Sequence, residues 1–145
     1  MEGKDHLFLC VLNGAFVFAS DLLKKITIDC EISFVKLSSY EGTKTTNTIR
    51  EMIGLDQSIE GRTIIIIEDI VDTGLTMDYT RKKLKKLGAI DVRIATLLFK
   101  PEAFKKDYAL DYVGIAIPNK FIVGYGLDYD GYGRNLPDIY QIIEA

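Results

Sequence analysis

Unbroken apolar runs alternate along this chain with apolar positions at helical spacing. Leu7 to Leu12 is a continuous apolar run, the pattern of a strand buried on both faces. Asn13-Gly14 breaks it. Over Ala15 to Ile26, the residues Phe16, Ala19, Leu22, Leu23 and Ile26 fall on one face of a predicted helix. Ile32 to Leu37 predicts a second strand. The polar stretch 38–51 (SSYEGTKTTNTIRE) has little to bury and predicts a mobile loop, with Met52-Ile53 as a short strand beyond it. Gly61-Arg62 leads into Thr63 to Ile67, the most β-branched run of the chain and the expected centre of the sheet. Leu75 to Leu87 predicts a helix closed by Gly88 in the left-handed conformation. Val92 to Leu98 and Tyr112 to Ile117 predict further strands, and Ile139 to Ile143 a last one. This order predicts one α/β domain over residues 1–145, a central, mostly parallel sheet flanked by helices and joined by right-handed crossovers.

Composition narrows the function classes. The chain has 145 residues, 48% hydrophobic and 27% charged, which excludes a disordered polymer. Eighteen Lys and Arg against 21 Asp and Glu give a net charge of −3, which argues against nucleic acid or an anionic membrane as the main partner. No apolar run approaches the roughly 20 residues of a spanning helix, and no export leader is evident, so the expected location is cytoplasmic. Cys10 and Cys30 lie in apolar segments without a metal-spaced partner, and are expected to be reduced, half-buried thiols.

The candidate chemistry lies in Ile65-Ile66-Ile67-Glu68-Asp69-Ile70-Val71-Asp72-Thr73-Gly74-Leu75-Thr76, where a parallel strand ends and a helix begins. Ligands of open α/β sheets bind at that edge. Gly74 permits a tight turn, Thr73 and Thr76 supply hydroxyls, and the free N–H groups of the first helical turn make an anion site. The lysine of a nucleoside-triphosphate loop is missing, because Leu75 stands between Gly74 and Thr76. Carboxylates repel phosphate, so Glu68 and Asp69 must meet another part of the ligand. Vicinal ribose hydroxyls, directly or through hydrated Mg2+, suit them. The deduced ligand is a ribose 5-phosphate unit. Asp72 taken alone also fits an ordinary helix cap.

The same stretch resembles the signature of the type I phosphoribosyltransferases. Leu9-Cys10-Val11-Leu12-Asn13-Gly14-Ala15, Ser38-Ser39-Tyr40, Leu97-Leu98-Phe99-Lys100 and Lys120 to Tyr129 are similar, in the same order, to the hypoxanthine (hypoxanthine-guanine) branch of that family. The resemblance implies Mg2+-dependent purine salvage. The 5-phosphoribosyl group of 5-phosphoribosyl-1-pyrophosphate passes to hypoxanthine or guanine, giving IMP or GMP and pyrophosphate. It implies that Glu68 and Asp69 hold the ribose and its metal, Asp72 is the acid/base residue, and Asp72, Thr73, Gly74, Leu75 and Thr76 wrap the 5-phosphate. Leu12, Asn13 and Gly14 form a pyrophosphate loop with a cis peptide between the first two. Ser39 and Tyr40 belong to a catalytic loop over 38–51. The hood, over about 100–145, supplies Lys100 for the purine O6, Phe121 for stacking and the Ile122 backbone for the base edge. Asp128 is a further metal ligand and Arg134 a pyrophosphate contact. A homodimer or homotetramer is also implied. Read without the resemblance, Lys100 fits a solvated loop lysine, Phe121 a core phenylalanine, and Asp128 and Arg134 surface charges.

Two departures stand out. Asn13 and Leu75 replace lysines found in some members, which shifts phosphate binding onto backbone N–H groups. Only Met1 to His6 precedes the first strand, less than is usual in the family, so the chain reads as N-terminally truncated, with an incomplete hood and an exposed apolar face. The basic stretch 78–106 reads as a solvated helix face. A nucleotide-sensing regulator on the same fold, without catalysis, is the alternative function. It would lack the paired Lys100 and Phe121 purine reader or carry a separate nucleic-acid-binding domain. A phosphorelay receiver is disfavoured because Asn13-Gly14, not an acidic pair, follows the first strand.

Overall fold

Six strands share one sheet in the computed structural model, which describes residues 5–41 and 48–143. They are β1 (His6–Leu12), β2 (Glu31–Glu41), β3 (Thr48–Ile53), β4 (Thr63–Val71), β5 (Asp91–Phe99) and β6 (Tyr112–Ala116). Their order is β3-β2-β1-β4-β5-β6. All neighbours are parallel except β2 and β3. As expected, β4 lies at the centre, beside β1 and β5. Its Ile64 and Ile66 join Leu7, Leu9, Met77 and Leu84 in one core layer, while Ile65 and Ile67 join Phe8, Cys10 and Ala19 in the other. Alternation along the strand therefore feeds both layers, and each buried isoleucine contributes about 1.5–3 kcal/mol.

Two helices cover the faces. In α1 (Phe16–Leu23) the small buried residue is Ala19, preceded by buried Ala15, and this lets the helix lie close to the sheet. It stops at Leu23, short of the predicted Ile26, in turns closed by Lys25 and Ile26 N–H donors. In α2 (Leu75–Lys86), Met77, Thr80 and Leu84 are buried, at the spacing of one helical face. The helix ends as predicted. Gly88 has φ 104°, its N–H donates to Lys85 O, and Ala89 N–H donates to Leu84 O, the pair of bonds of a Schellman cap. Lys83, Lys85 and Lys86 sit in the last turn, where the helix dipole favours cations. Asp78 in the first turn gathers Arg81, Lys82 and Lys106, so part of the basic stretch is internally paired.

Three sequence expectations are corrected. Residues 38–41 and 48–51 are strand, not loop. They extend β2 and β3 into an antiparallel pair, with Ser39 opposite Arg50 and Tyr40 opposite Ile49. Backbone pairing needs no apolar face, and Thr, Ile and Tyr favour it. Residues 42–47 of the expected loop lie outside the described residues. Secondly, Cys30 is exposed and Cys10 fully buried, so neither thiol is half-buried. Lastly, Ile122–Val123 (β7) pairs with Tyr140–Gln141 (β8) as a separate antiparallel ribbon. Two-residue strands have no readable period.

The edge strand β6 is exposed throughout. Between it and α1 runs an apolar groove of about 380 Å³ that includes Phe18, Leu22, Ile65 and Val113. Among the described residues no helix is long and apolar enough to cross a membrane.

Candidate active site

Chain direction splits at the centre of the sheet. After β1 the chain passes through α1 to β2 on one side, and after β4 it passes through α2 to β5 on the other. Ligands bind outside the strand ends at such a switch point. The parallel register sets Cys10 beside Ile67, which brings the loop after β1 level with Glu68 and Asp69. The Leu12–Asn13 peptide is cis, as the resemblance implied. A cavity of about 320 Å³ opens here, with Leu12, Asn13, Gly14, Glu68, Asp69, Thr76, Asp128 and Arg134 in its wall. Glycine is required where the segments touch. A Cβ on Gly14 would fall on the Asp69 carboxylate, and one on Gly126 would lie 2.5 Å from Gly14 O.

A smaller cavity of about 130 Å³ adjoins it, walled by Glu68, Asp69, Asp72, Thr73, Gly74 and Thr76. Gly74 has φ 89° and is itself the N-cap of α2, with no side-chain cap. The capping alternative for Asp72 therefore fails. Leu75 N–H makes only a long, 3.4 Å bond to Thr73 Oγ1. The turn is backed by the segment after β5. Lys105 N–H donates to Thr73 O at 3.0 Å, Tyr108 O–H donates to Gly74 O at 2.7 Å, and a Cβ on Gly74 would lie 2.5 Å from the Phe104 ring.

The two adjacent acids are held without a cation. Glu68 Oε1 accepts Asp69 N–H at 3.1 Å, and Asp69 Oδ1 accepts Ile70 N–H at 2.7 Å. Among the described residues no Lys or Arg forms an ion pair with either. Burial, and then the neighbouring Asp69, push the Glu68 carboxyl well above its usual range. Burial and the same two acids raise Cys10 to about 11, leaving an inert thiol beneath the site. Uncompensated carboxylates suit a divalent cation or sugar hydroxyls. Among the described residues no three His, Cys, Asp or Glu groups form a metal cluster, so Glu68, Asp69 and Asp128 build no all-protein cage. Mg2+ does not require one, since it keeps waters and binds through one or two carboxylates plus ligand phosphates.

A third group stands at the end of β5. Lys100 is only 8% exposed, with its Nζ 3.7 Å from Asp72 Oδ2 and 6.0 Å from the Phe121 ring centre. It is no solvated loop lysine. Phe121 is 75% exposed, so it is no core residue either. Ile122 follows in β7. Arg134 donates to Gly126 O at 2.7 Å and pairs with Asp128 at 3.4 Å, binding the hood turn to the larger cavity.

Most predicted residues therefore converge. Leu75 lines neither cavity and is half exposed, so its side chain takes no part in either wall. Ser39 and Tyr40 are placed by backbone register alone. Sequence reading missed Leu127, which lines the larger cavity, Tyr129, which shares a 500 Å³ hollow with Phe121, and Tyr108. Gly124-Tyr125-Gly126 was the available signal for the first, because paired glycines mark a close backbone approach. Nothing in the sequence pattern singled out Tyr108.

Comparison with known proteins agrees with this geometry. Residues 1–130 match the family model described as the phosphoribosyl transferase domain. The chain is 47% identical over 136 residues to the hypoxanthine-guanine phosphoribosyltransferase of Streptococcus thermophilus, spanning 93% of this chain and 76% of that protein. Its counterpart in Mycobacterium tuberculosis is 40% identical over 147 residues, spanning 96% and 73%. Among solved structures, a hypoxanthine phosphoribosyltransferase from Staphylococcus aureus superposes with TM-score 0.89 at 39% identity, covering 97% of this chain and 77% of that one. A Trypanosoma cruzi variant solved as a ternary substrates complex gives TM-score 0.88 at 34% identity, covering 98% and 78%. With its switch-point cavity, its glycine turn and these relatives, the chain belongs to the phosphoribosyltransferase family.

Proposed function

We infer that the chain carries out purine salvage. It transfers the 5-phosphoribosyl group from 5-phosphoribosyl-1-pyrophosphate to hypoxanthine and guanine, forming IMP and GMP and releasing pyrophosphate. The observation that carries this reading is the adjacency of three environments at one sheet edge: a glycine turn, an uncompensated acid pair and a buried lysine paired with Asp72 below an exposed phenylalanine.

Each environment has a part in the reaction. The turn from Asp72 to Thr76 receives the 5-phosphate through backbone N–H groups and the Thr73 and Thr76 hydroxyls. Glu68 and Asp69 accept the ribose hydroxyls. Lys100 donates to the purine O6, the Ile122 backbone meets the base edge, and Phe121 stacks on the ring, worth about 1–3 kcal/mol. Purine N9 bonds to C1′ as the C1′–O bond breaks, and that electron pair leaves on pyrophosphate. Asp72 takes the proton from N7. Leu12, Asn13 and Gly14, with Arg134, hold the departing pyrophosphate, while Ser39 and Tyr40 help exclude water. Glu68, Asp69 and Asp128 are the residues that would hold Mg2+, which when bound offsets the charge developing on the leaving group.

Adenine presents a donor where hypoxanthine presents an oxygen, so Lys100 would face it donor to donor. Mismatches of this kind discriminate by about 10⁴. A sensing role without catalysis is disfavoured, because it needs no base reader. Cytoplasmic location and assembly as a homodimer or homotetramer are part of the same proposal. The two free thiols support the first, and the exposed apolar side chains of β6 support the second.

The test is nucleotide formation from 5-phosphoribosyl-1-pyrophosphate with hypoxanthine, guanine, xanthine and adenine, with and without Mg2+. The expected result is IMP and GMP, loss of both with a chelator, and no detectable AMP. Turnover of adenine at the hypoxanthine rate, or no nucleotide at all, overturns the proposal.

A further inference from the structure

The turn that takes the phosphate depends on a residue outside it. Tyr108 lies 34 positions beyond Gly74 in sequence, yet its O–H donates to Gly74 O at 2.7 Å. The same carbonyl accepts the first helical bond, from Asp78 N–H at 2.9 Å, so both of its lone pairs are used. The Tyr108 ring is held on two sides. Phe104 meets it edge-on, with centres 5.3 Å apart, and the Arg81 guanidinium lies 4.6 Å from its centre. Its hydroxyl position is therefore fixed by packing. Burial, then the nearby Asp78, raise the phenol to about 12, which keeps it a donor at any physiological pH.

Peptide geometry turns this contact into an aim. In a trans peptide the carbonyl and the N–H of the same plane point in opposite directions. Fixing Gly74 O on Tyr108 therefore turns the Leu75 N–H away from the 104–108 segment, to the side of Thr73 Oγ1, which it meets at 3.4 Å and whose residue lines the smaller cavity. Lys105 N–H holds Thr73 O at 3.0 Å and turns the Gly74 N–H in the same way. With Leu75 contributing no lysine-like cation, these N–H groups carry the anion site.

We propose that Tyr108 is a positioning residue for the substrate's 5-phosphate, acting through the Gly74 carbonyl to point the Leu75 N–H at it. This rests on the reading of the Asp72–Thr76 turn as the 5-phosphate site. Tyr108→Phe removes only the hydroxyl and keeps the ring between Phe104 and Arg81. The dissociation constants of IMP, inosine and inorganic pyrophosphate are measured by calorimetry in parent and variant. IMP should bind about 3- to 10-fold more weakly to the variant, while inosine and pyrophosphate, which lack the 5-phosphate, stay within twofold. Unchanged IMP affinity, or an equal loss for all three, overturns the proposal.

A second variant, Phe104→Leu, removes ring packing but leaves the hydroxyl. It should lower the thermal midpoint and leave the IMP-to-pyrophosphate ratio unchanged. If it shifts that ratio as far as Tyr108→Phe does, packing rather than the hydroxyl sets the turn, and the proposal falls. Failure of the underlying reading looks different. The parent itself would then bind inosine as tightly as IMP, whereas a parent that prefers IMP and a variant that keeps the preference would sink only the Tyr108 role.

Discussion

Lys100 Nζ stands 3.7 Å from Asp72 Oδ2, joining the residue proposed to read the base to the one proposed to take its proton. The lysine side chain is 10% exposed and the aspartate 52%, so the proposed base donor is the buried member of the pair. Replacing Lys100 by Ala should weaken hypoxanthine by about 10- to 100-fold, the worth of a hydrogen bond from a charged donor. Affinity for 5-phosphoribosyl-1-pyrophosphate should change by less than about threefold on the same scale. Separate KM values for the two substrates decide it, and equal losses would remove Lys100 from base recognition.

Asp72 is the partner, and its change should show in rate rather than binding. Asp72→Asn preserves shape but cannot take a proton. Turnover should fall about 10²- to 10⁴-fold, with IMP affinity nearly retained. Single-turnover kinetics beside an IMP titration make the comparison, and parental turnover would take Asp72 out of the acid/base role.

Gly14 offers a test of geometry. A methyl group there would fall on the Asp69 carboxylate, so Gly14→Ala must displace one of the two. Misplacement by an ångström costs about 10²-fold in rate. Activity should drop by that order while the far-ultraviolet circular dichroism is unchanged. Full activity would mean that the Asp69 position is not critical.

The Glu68 carboxyl sets a pH dependence. Its folded value is raised above the usual 4.5 by burial and by Asp69, so the folded chain binds this proton more tightly than the unfolded one. Stability from that source is full below about 4.5, the ordinary value, and is lost as pH rises through the higher folded value. Without divalent cations, the thermal midpoint should fall over that upward window, and Glu68→Gln should flatten the fall. A midpoint whose pH dependence is the same in both proteins would show that Glu68 is not the group involved.

Legibility followed the range of the interactions. β1 and β4 were readable because buried parallel strands carry unbroken apolar runs, and the Glu68–Thr76 stretch because one strand end carries its whole chemistry. The hairpin arm at Ser39 and Tyr40 was hidden, since polar side chains on paired backbone look like a loop. Lys100 was legible only through resemblance, because its burial and its pairing with Asp72 arise from tertiary contact. Tyr108 was invisible, because its partner is a main-chain carbonyl distant in sequence.

The stretch that follows β5 runs from Lys100, at the base end, through Lys105 to Tyr108, behind the phosphate turn. Nine consecutive residues thus join Asp72, through Lys100, to the Gly74 carbonyl, through Tyr108. A single piece of main chain spans the proposed base and phosphate ends, so a change in its length would put the two out of step even with every contacting side chain intact.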